Sequence, residues 1–304
     1  MTAAVPEIVE TYTCSNCGAT TSFDPGTRTL RCPFCGTEMA VRASAAAKDL
    51  DADQFVLPFT VQKEDSSTLI RKWLGSSFWA PGDLKNRSAL ERGQGIYVPF
   101  WRFDADASST WEGEISKTHT RNVQRTRTNS EGKRENYTAT ENYKTWHPRS
   151  GTHQGSHRTW VAASTGLTQT EGDELMPFPE EAMMTYSPDL LFGFSSEDPG
   201  IDEDGAWSVG EQRIREMERD ACAREVERLT RADTTLSNKR SAVCYLPVWI
   251  YGYTYQQKQY RVLVNGHTGE VVGERPVSKA RVGAAVGVGL LLLVVIIVVI
   301  VLVS

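Results

Sequence analysis

The 304-residue sequence lacks the short motifs that mark the common enzyme classes. It contains no G-x-x-x-x-G-K-[ST] segment, and no other glycine-rich stretch offers a phosphate cradle between a strand and a helix. A G-x-S-x-G nucleophile elbow, an H-E-x-x-H zinc helix and a convincing Cys/His pair are also missing. These absences exclude a P-loop helicase and predict a protein that is not an enzyme.

Positive charge is also scarce. Lys and Arg number 33 against 38 Asp and Glu, so the formal net charge is −5. This balance argues against non-specific affinity for nucleic acid or for an anionic membrane surface. Basic residues prevail only from Lys117 to Arg158, whereas residues 159–212 contain no Lys or Arg. The two stretches are expected to pair across the fold, the alternative being a basic partner site.

A signal peptide is missing too. The first thirteen residues have neither a basic start nor an apolar run, so the sequence predicts no export of the chain. Cysteine is sparse, with six residues in all. Two of them, Cys222 and Cys244, stand apart from the others and are predicted to be small buried hydrophobic residues.

The other four cysteines form two C-x-x-C-G knuckles that are separated by fourteen residues, namely Cys14, Cys17, Cys32 and Cys35. Four thiolates at this spacing match a tetrahedral zinc ribbon, and they leave no coordination position open. The sequence therefore predicts one structural Zn²⁺. A turn between β-prone runs at Thr20–Phe23 and Thr29–Arg31 predicts a hairpin inside the ribbon. Its balanced charge favours a protein partner or a purely structural role over nucleic acid.

One long apolar run, Val282 to Val303, has no polar or charged side chain. As a helix it spans about 33 Å, enough to cross a hydrocarbon core. Lys279 and Arg281 precede it and only Ser304 follows, so the positive-inside rule predicts a single-pass C-terminal anchor in the cell membrane with residues 1–281 in the cytoplasm. Gly283 and Gly287 form a G-x-x-x-G pattern that either packs two anchors together or arises by chance.

The remaining pattern predicts an α+β protein with a small zinc ribbon (1–42), a linker (43–53), a β-rich cytoplasmic domain (54–278) with one or two packed helices, and a transmembrane helix (282–303). The length allows one large domain or two small ones between the ribbon and the anchor. Apolar alternation predicts strands at Phe55–Val61, Gly95–Phe103 and Val243–Tyr251. Apolar residues at helical spacing predict helices at Lys63–Leu74 and Ser208–Ala232. An Asn-Gly turn between β-prone runs predicts a hairpin at Gln259–Glu274.

A Tyr-x-Pro-x-Trp pattern occurs twice, at Tyr97–Trp101 and at Tyr245–Trp249. Proline cannot donate to a sheet ladder, so each copy is expected on an edge or at a bulge. The recurrence is explained either by an internal duplication or by chance.

The polar stretch Trp111–Thr165 predicts exposed antiparallel strands with mobile turns. Its three histidines, His147, His153 and His157, suggest either a second metal site or solvated loop side chains. The second interpretation is favoured because no nearby cysteine or ordered carboxylate completes a ligand set.

Several segments together resemble prokaryotic membrane proteins that carry a transcription-factor-IIB-type zinc ribbon. The resemblance rests on the two knuckles and on Leu57–Phe59, Trp73–Leu74, Phe78–Pro81, Leu84–Lys85, Gly95–Trp101, Leu190–Phe194, Leu246–Trp249 and Val264–Val271. Members of that family are sometimes labelled primosomal helicases, a label that the missing P-loop contradicts here. Some are encoded beside phage-shock-type or band-7 proteins, which implies a scaffold or recruiter in membrane stress.

The expected function is therefore a non-enzymatic adaptor that is tethered to the membrane and recruits a protein partner. The alternative is a membrane-associated nucleic-acid-binding protein that uses the ribbon and the Arg-rich segment 121–149.

Overall fold

A computed structural model describes the chain apart from residues 1–9, 14–17, 24–29, 32–33, 35–37, 40–51, 88, 91–92, 129–131, 192–193 and 304. Its described part is a strand-rich mixture of helix and sheet, as the sequence predicts. The helices are α1 Lys63–Leu74, α2 Leu84–Arg87, α3 Gln169–Glu174, α4 Glu203–Ala223 and α5 Lys279–Val303. The strands are β1 Glu10–Thr13, β2 Thr20–Phe23, β3 Leu30–Arg31, β4 Glu38–Met39, β5 Asp53–Val56, β6 Ala89–Leu90, β7 Gln94–Thr128, β8 Arg134–Ala162, β9 Met184–Thr185, β10 Ser195–Glu197, β11 Arg228–Tyr255, β12 Lys258–Asn265 and β13 Val271–Gly273.

The chain divides into two compact units that both draw on distant parts of the sequence. The first unit contains residues 1–101, 160–206 and 242–304, and the second contains residues 102–159 and 207–241. Residues 54–278, predicted as one β-rich domain, contribute to both units. The long strands β7, β8 and β11 each contribute residues to both.

The core of the first unit lies on both faces of its sheet. Successive side chains of a strand point to opposite faces, and β11 is apolar on both. Leu246, Val248 and Ile250 pack in one cluster with Leu57, whereas Trp249, Tyr251 and Tyr253 pack in another with α1. The predicted helix Lys63–Leu74 is confirmed, with Ile70 and Leu74 buried.

The predicted hairpin near Asn265 is also confirmed, because β12 pairs antiparallel with β13 from Val262 to Val264. The hairpin expected between Thr20–Phe23 and Thr29–Arg31 falls partly on residues outside the described part of the chain, and it stays a prediction. Strand β2 pairs with β1 and β10, and β3 pairs with β4.

Both Tyr-x-Pro-x-Trp segments lie in interior strands, since β7 and β11 are neighbours in the sheet order β1-β2-β10-β7-β11-β12-β13. The expectation of an edge or bulge is therefore wrong. Along one side of β11, the parallel partner β5 ends opposite Tyr245 and the antiparallel partner β12 begins opposite Val248. Pro247 lies where the partner changes. The N–H and C=O of one strand residue point toward the same neighbouring strand. Because the partner strand changes at Pro247, the N–H that proline lacks would have had no partner in the ladder.

Pro99 has the same environment in β7. The parallel partner β10 reaches Tyr97, and the carbonyl of Pro99 accepts from Ala163 N at 3.0 Å, as the carbonyl of Pro247 accepts from Gly266 N at 2.8 Å.

The tryptophans complete the correspondence. Trp249 Nε1 donates to Val61 O at 2.9 Å, and Trp101 Nε1 donates to Ile201 O at 2.9 Å. In each case the acceptor lies two residues before a helix begins, α1 or α4. The bonds of the two tryptophans and the two prolines occur in the same chain order and with the same geometry in both copies. This agreement supports an internal duplication over chance. The first half comprises residues 53–101 and 160–166, and the second comprises residues 195–206 and 242–269.

The second unit is built on a β7–β8 hairpin whose register follows from cross-strand side-chain bonds. Thr126 donates to Asn136 at 3.0 Å, and Arg158 donates to Asp104 at 2.6 Å, so the strands run antiparallel. Strand β11 lies beside β7 up to Glu114, which bonds Arg228 at 3.1 Å. Residues 117–128 and 132–145, which we call the arm, are mostly exposed on both faces.

Helix α4 differs from its predicted bounds of Ser208–Ala232. It begins five residues earlier and ends at Ala223, and Ala232 lies in β11. Its buried positions in the second unit recur every four residues, at Gly210, Ile214, Glu218 and Cys222.

Candidate membrane anchor

Helix α5 is long and apolar enough to cross a membrane by length and composition, as the sequence predicts. Its 25 residues span about 37 Å, and the 18-residue window that meets this test is not buried at all. From Val282 to Ile297 the side chains of this helix are exposed. Such a long exposed apolar segment favours apolar surroundings.

A stem of eight residues, Glu274 to Arg281, leads into this helix and is fastened to the first unit. Tyr253 Oη donates to the carbonyl of Glu274 at 2.6 Å. The guanidinium of Arg275 lies 3.8 Å from the centroid of the Trp73 ring, and Ser278 N donates to Trp79 O at 2.8 Å. Because these contacts are distributed along the stem, they fix the point at which the helix begins.

An aromatic pair, Phe78 and Trp79, stands beside that point. Arg281 Nη1 donates to the carbonyl of Phe78 at 2.5 Å. The side chain of Phe78 is 70% exposed and that of Trp79 is 47% exposed, and Val277 is 61% exposed. The two rings contact each other edge to face, with their centroids 5.2 Å apart. The side chains of Phe78, Trp79 and Val277, which we call the collar, place apolar surface where the helix begins.

Charge at the anchor is confined to its start. Lys279 and Arg281 are the charged residues of α5, and the remaining residues of the helix are apolar. Arg275 is partly buried against Trp73, which lowers the pKa of its guanidinium, although an arginine stays protonated at neutral pH. The junction therefore carries three cations next to the collar.

Gly283 and Gly287 both face open space, since a Cβ built on either meets nothing within 4 Å. The small-residue face that could pack two anchors is therefore uncovered, and self-association stays a prediction. The four predicted zinc ligands, Cys14, Cys17, Cys32 and Cys35, lie outside the described residues. The structure confirms that Cys222 and Cys244 are buried.

Three arginines of segment 121–149 lie beside carboxylates of their own hairpin. Arg121 lies 2.9 Å from Glu141 and Arg125 lies 3.6 Å from the same carboxylate, while Arg127 lies 4.0 Å from Glu135. The expectation that this stretch pairs with residues 159–212 is wrong for these three arginines, because a nearer carboxylate on the opposite strand reaches each of them.

A further expectation is wrong at one place in the second unit. The sequence favours solvated loop positions for His153 and His157. Instead the histidines lie on β8 and both bond the buried carboxylate of Glu218. The sequence contains a signal for the burial of Glu218, because it is spaced four residues from both Ile214 and Cys222. The alternation of Glu and Arg around it is instead typical of an exposed helix face.

Comparisons with known proteins add a relative without an established role. No family model matches the sequence, and no solved structure matches it. The chain is similar to the uncharacterized protein YdjG of Bacillus subtilis strain 168, with 26% identity over 331 aligned positions. The alignment covers 91% of this chain and 93% of the relative.

Proposed function

We propose that the chain is a non-enzymatic adaptor, anchored in the cell membrane by α5, which holds a protein partner at the cytoplasmic face. The exposed apolar helix carries the proposal. Each central Leu, Val or Ile contributes roughly −0.3 to −0.6 kcal/mol to insertion, so the run beginning at Leu290 supplies several kcal/mol.

The collar and the stem support the same assignment. Tryptophan and other aromatic residues favour the level of the lipid headgroups, and Phe78 and Trp79 lie where a helix entering the bilayer would meet them. Lys279 and Arg281 at this end of the helix favour a cytoplasmic position for the two units under the positive-inside rule. The stem contacts then hold the first unit close to the membrane surface.

The adaptor role also rests on a predicted recognition module. The ribbon with its structural Zn²⁺ at Cys14, Cys17, Cys32 and Cys35 would offer a small rigid surface. The rival nucleic-acid role would rest on the cations of the arm, three of which, Arg121, Arg125 and Arg127, lie beside the carboxylates of Glu141 and Glu135.

Membrane anchoring is tested by alkaline extraction of membranes from cells that express the full chain. The wild type should stay in the pellet. Leu292→Asp combined with Val295→Asp should move the chain to the supernatant, because each central Asp costs about 2.5–3.5 kcal/mol. The matched variant Leu292→Ala with Val295→Ala should stay in the pellet. An Asp variant that remains membrane-bound would refute the anchor.

Partner recruitment is tested by crosslinking in intact cells and purification of the full chain, with and without nuclease. A stoichiometric protein should survive nuclease and be lost from Cys14→Ser, while Cys244→Ser, a change outside the ribbon, should retain it. Recovery of nucleic acid alone, released steeply between about 50 and 200 mM salt, would establish the rival role instead.

A further inference from the structure

A buried carboxylate in the second unit collects metal-ligating side chains from two elements. Glu218 lies on the buried stripe of α4, and its side chain is 0% exposed. An ionised carboxylate is costly to bury unless it is paired and hydrogen-bonded. Its partners therefore explain why a glutamate occupies a position that the helix otherwise gives to Ile214 and Cys222.

Two imidazoles reach this carboxylate from β8. His153 Nδ1 lies 2.9 Å from Oε1, and His157 Nε2 lies 2.7 Å from Oε2. The two histidines are four residues apart on one strand, so both point to the same face.

Gly155 stands between them on that face. A Cβ there would lie 3.2 Å from His157 Nε2, 3.3 Å from His153 Cε1 and 3.4 Å from Glu218 Oε2. Glycine leaves the space in which the two rings converge.

A thiol completes the group from the next turn of α4. Cys222 Sγ lies 4.0 Å from Glu218 Oε1, and the ligand atoms of His153, Glu218 and Cys222 all lie within 4.8 Å of one another.

We propose that His153 Nδ1, Glu218 Oε1 and Cys222 Sγ bind a divalent transition-metal cation of the Zn²⁺ class. Nitrogen and sulfur donors select such ions over Mg²⁺ and Ca²⁺. His157 does not need to reach the ion, because it holds the second carboxylate oxygen and positions Glu218 from outside the ligand set.

Three protein ligands leave a fourth position for water or another small ligand, and His153 is 27% exposed, which provides a route to solvent. On binding, the cation displaces the proton between Nδ1 and Oε1, so His153 carries its proton on Nε2 instead, and the thiol proton leaves to solvent. Affinity should therefore fall as the pH decreases.

The test measures bound metal in the full chain, purified in detergent. Cys14→Ser with Cys17→Ser first removes the ribbon's predicted ion. In that background the intact cluster should hold one Zn²⁺ per chain, and His153→Gln with Cys222→Ser should hold none. His147→Gln, a change of another histidine on β8, should leave the count at one. Co²⁺ in place of Zn²⁺ should give a thiolate absorption that Cys222→Ser abolishes.

Two milder variants sharpen the assignment. Gly155→Ala and His157→Asn should each weaken Zn²⁺ binding by about 10- to 100-fold, as changes behind the ligands commonly do. If the double variant fails to fold, calorimetry on the chain with the intact cluster still decides. Absence of saturable Zn²⁺ binding after chelation, in a chain whose circular dichroism is native, would overturn the site. Neither readout depends on a partner or a membrane, so failure here is separate from failure of the adaptor role.

Discussion

Leu57 and Glu197 occupy matching positions in the two halves of the first unit, and both are fully buried. Each follows a parallel strand pair, Val56 with Tyr245 and Ser196 with Tyr97. Leu57 packs into the apolar core, whereas Oε1 of Glu197 accepts from Thr165 N at 2.8 Å and from Thr165 Oγ1 at 2.9 Å. The backbone bonds that the halves share therefore tolerate an apolar or an ionisable side chain at the same place.

The halves diverge more strongly beyond their shared core. In the second half, β11 turns into β12 at Gln256 and Gln257. In the first half, β7 continues from Trp101 to Thr128 and returns as β8. The sequence of the second unit is inserted at this point and again after Ala206. Because the two halves of the core carry insertions at different points and of different lengths, their sequences do not align simply.

The largest expected effect tests the equivalence itself. Trp101→Ala and Trp249→Ala each remove a buried ring and its bond to a carbonyl before a helix, so each should cost about 3–5 kcal/mol. Chemical unfolding of the detergent-solubilised chain measures both. Exposed Trp79→Ala serves as the control. Losses that differ by more than a factor of two between the buried sites would show that the halves are not energetically equivalent.

Glu197 should give one half a pH dependence that Leu57 cannot give the other. Burial raises the pKa of Glu197 to about 7, above its ordinary value, so the folded chain binds more protons than the unfolded chain between about pH 4.5 and 7. Stability should therefore fall by roughly 2–3 kcal/mol as the pH rises through this window. Glu197→Gln should flatten the profile of unfolding free energy against pH, and exposed Glu174→Gln should leave it unchanged.

A smaller effect should separate Gly266 from its counterpart Ala163. A Cβ on Gly266 would lie 2.5 Å from the Phe59 ring and 2.9 Å from Pro247, so Gly266→Ala should cost about 2 kcal/mol through overpacking. Ala163→Gly should cost only about 1 kcal/mol. The same unfolding assay compares them, and equal costs would mean that Phe59 moves aside freely.

The smallest effect is expected from trimming the arm. Its strands are mostly exposed and an isolated two-stranded hairpin is marginally stable. Replacing residues 117–145 with a two-residue Asn-Gly turn should change the unfolding free energy of the first unit by less than about 0.5 kcal/mol. A larger loss in that unit would show that the arm supports the duplicated core.

Local pattern predicted some elements well and others poorly, for physical reasons. Helix α1 was predicted to the residue because Ile70 and Leu74 repeat at helical spacing on one buried face. The pairing of β7 with β11 joins residues more than a hundred positions apart, which no local period reveals. The positions of Pro99 and Pro247 depend on where partner strands change, which is a tertiary property.

The duplication also has a weak sequence signal that only the structure made visible. Val161-x-x-x-Thr165-Gly166 matches Val264-x-x-x-Thr268-Gly269 after the matched carbonyl contacts are aligned. The spacing from the Tyr-x-Pro-x-Trp segment differs between the copies because of the insertion. The buried cluster around Glu218 was missed for a related reason, since its ligands come from β8 and α4, distant in sequence.

The parallel strands are exchanged between the halves, and this has a consequence for folding. Strand β5 of the first half completes the sheet beside β11 of the second, and β10 of the second half completes it beside β7 of the first. Neither half supplies its own parallel neighbour. Removing either half would therefore take a strand from the sheet of the other, so the two halves depend on each other to complete one sheet.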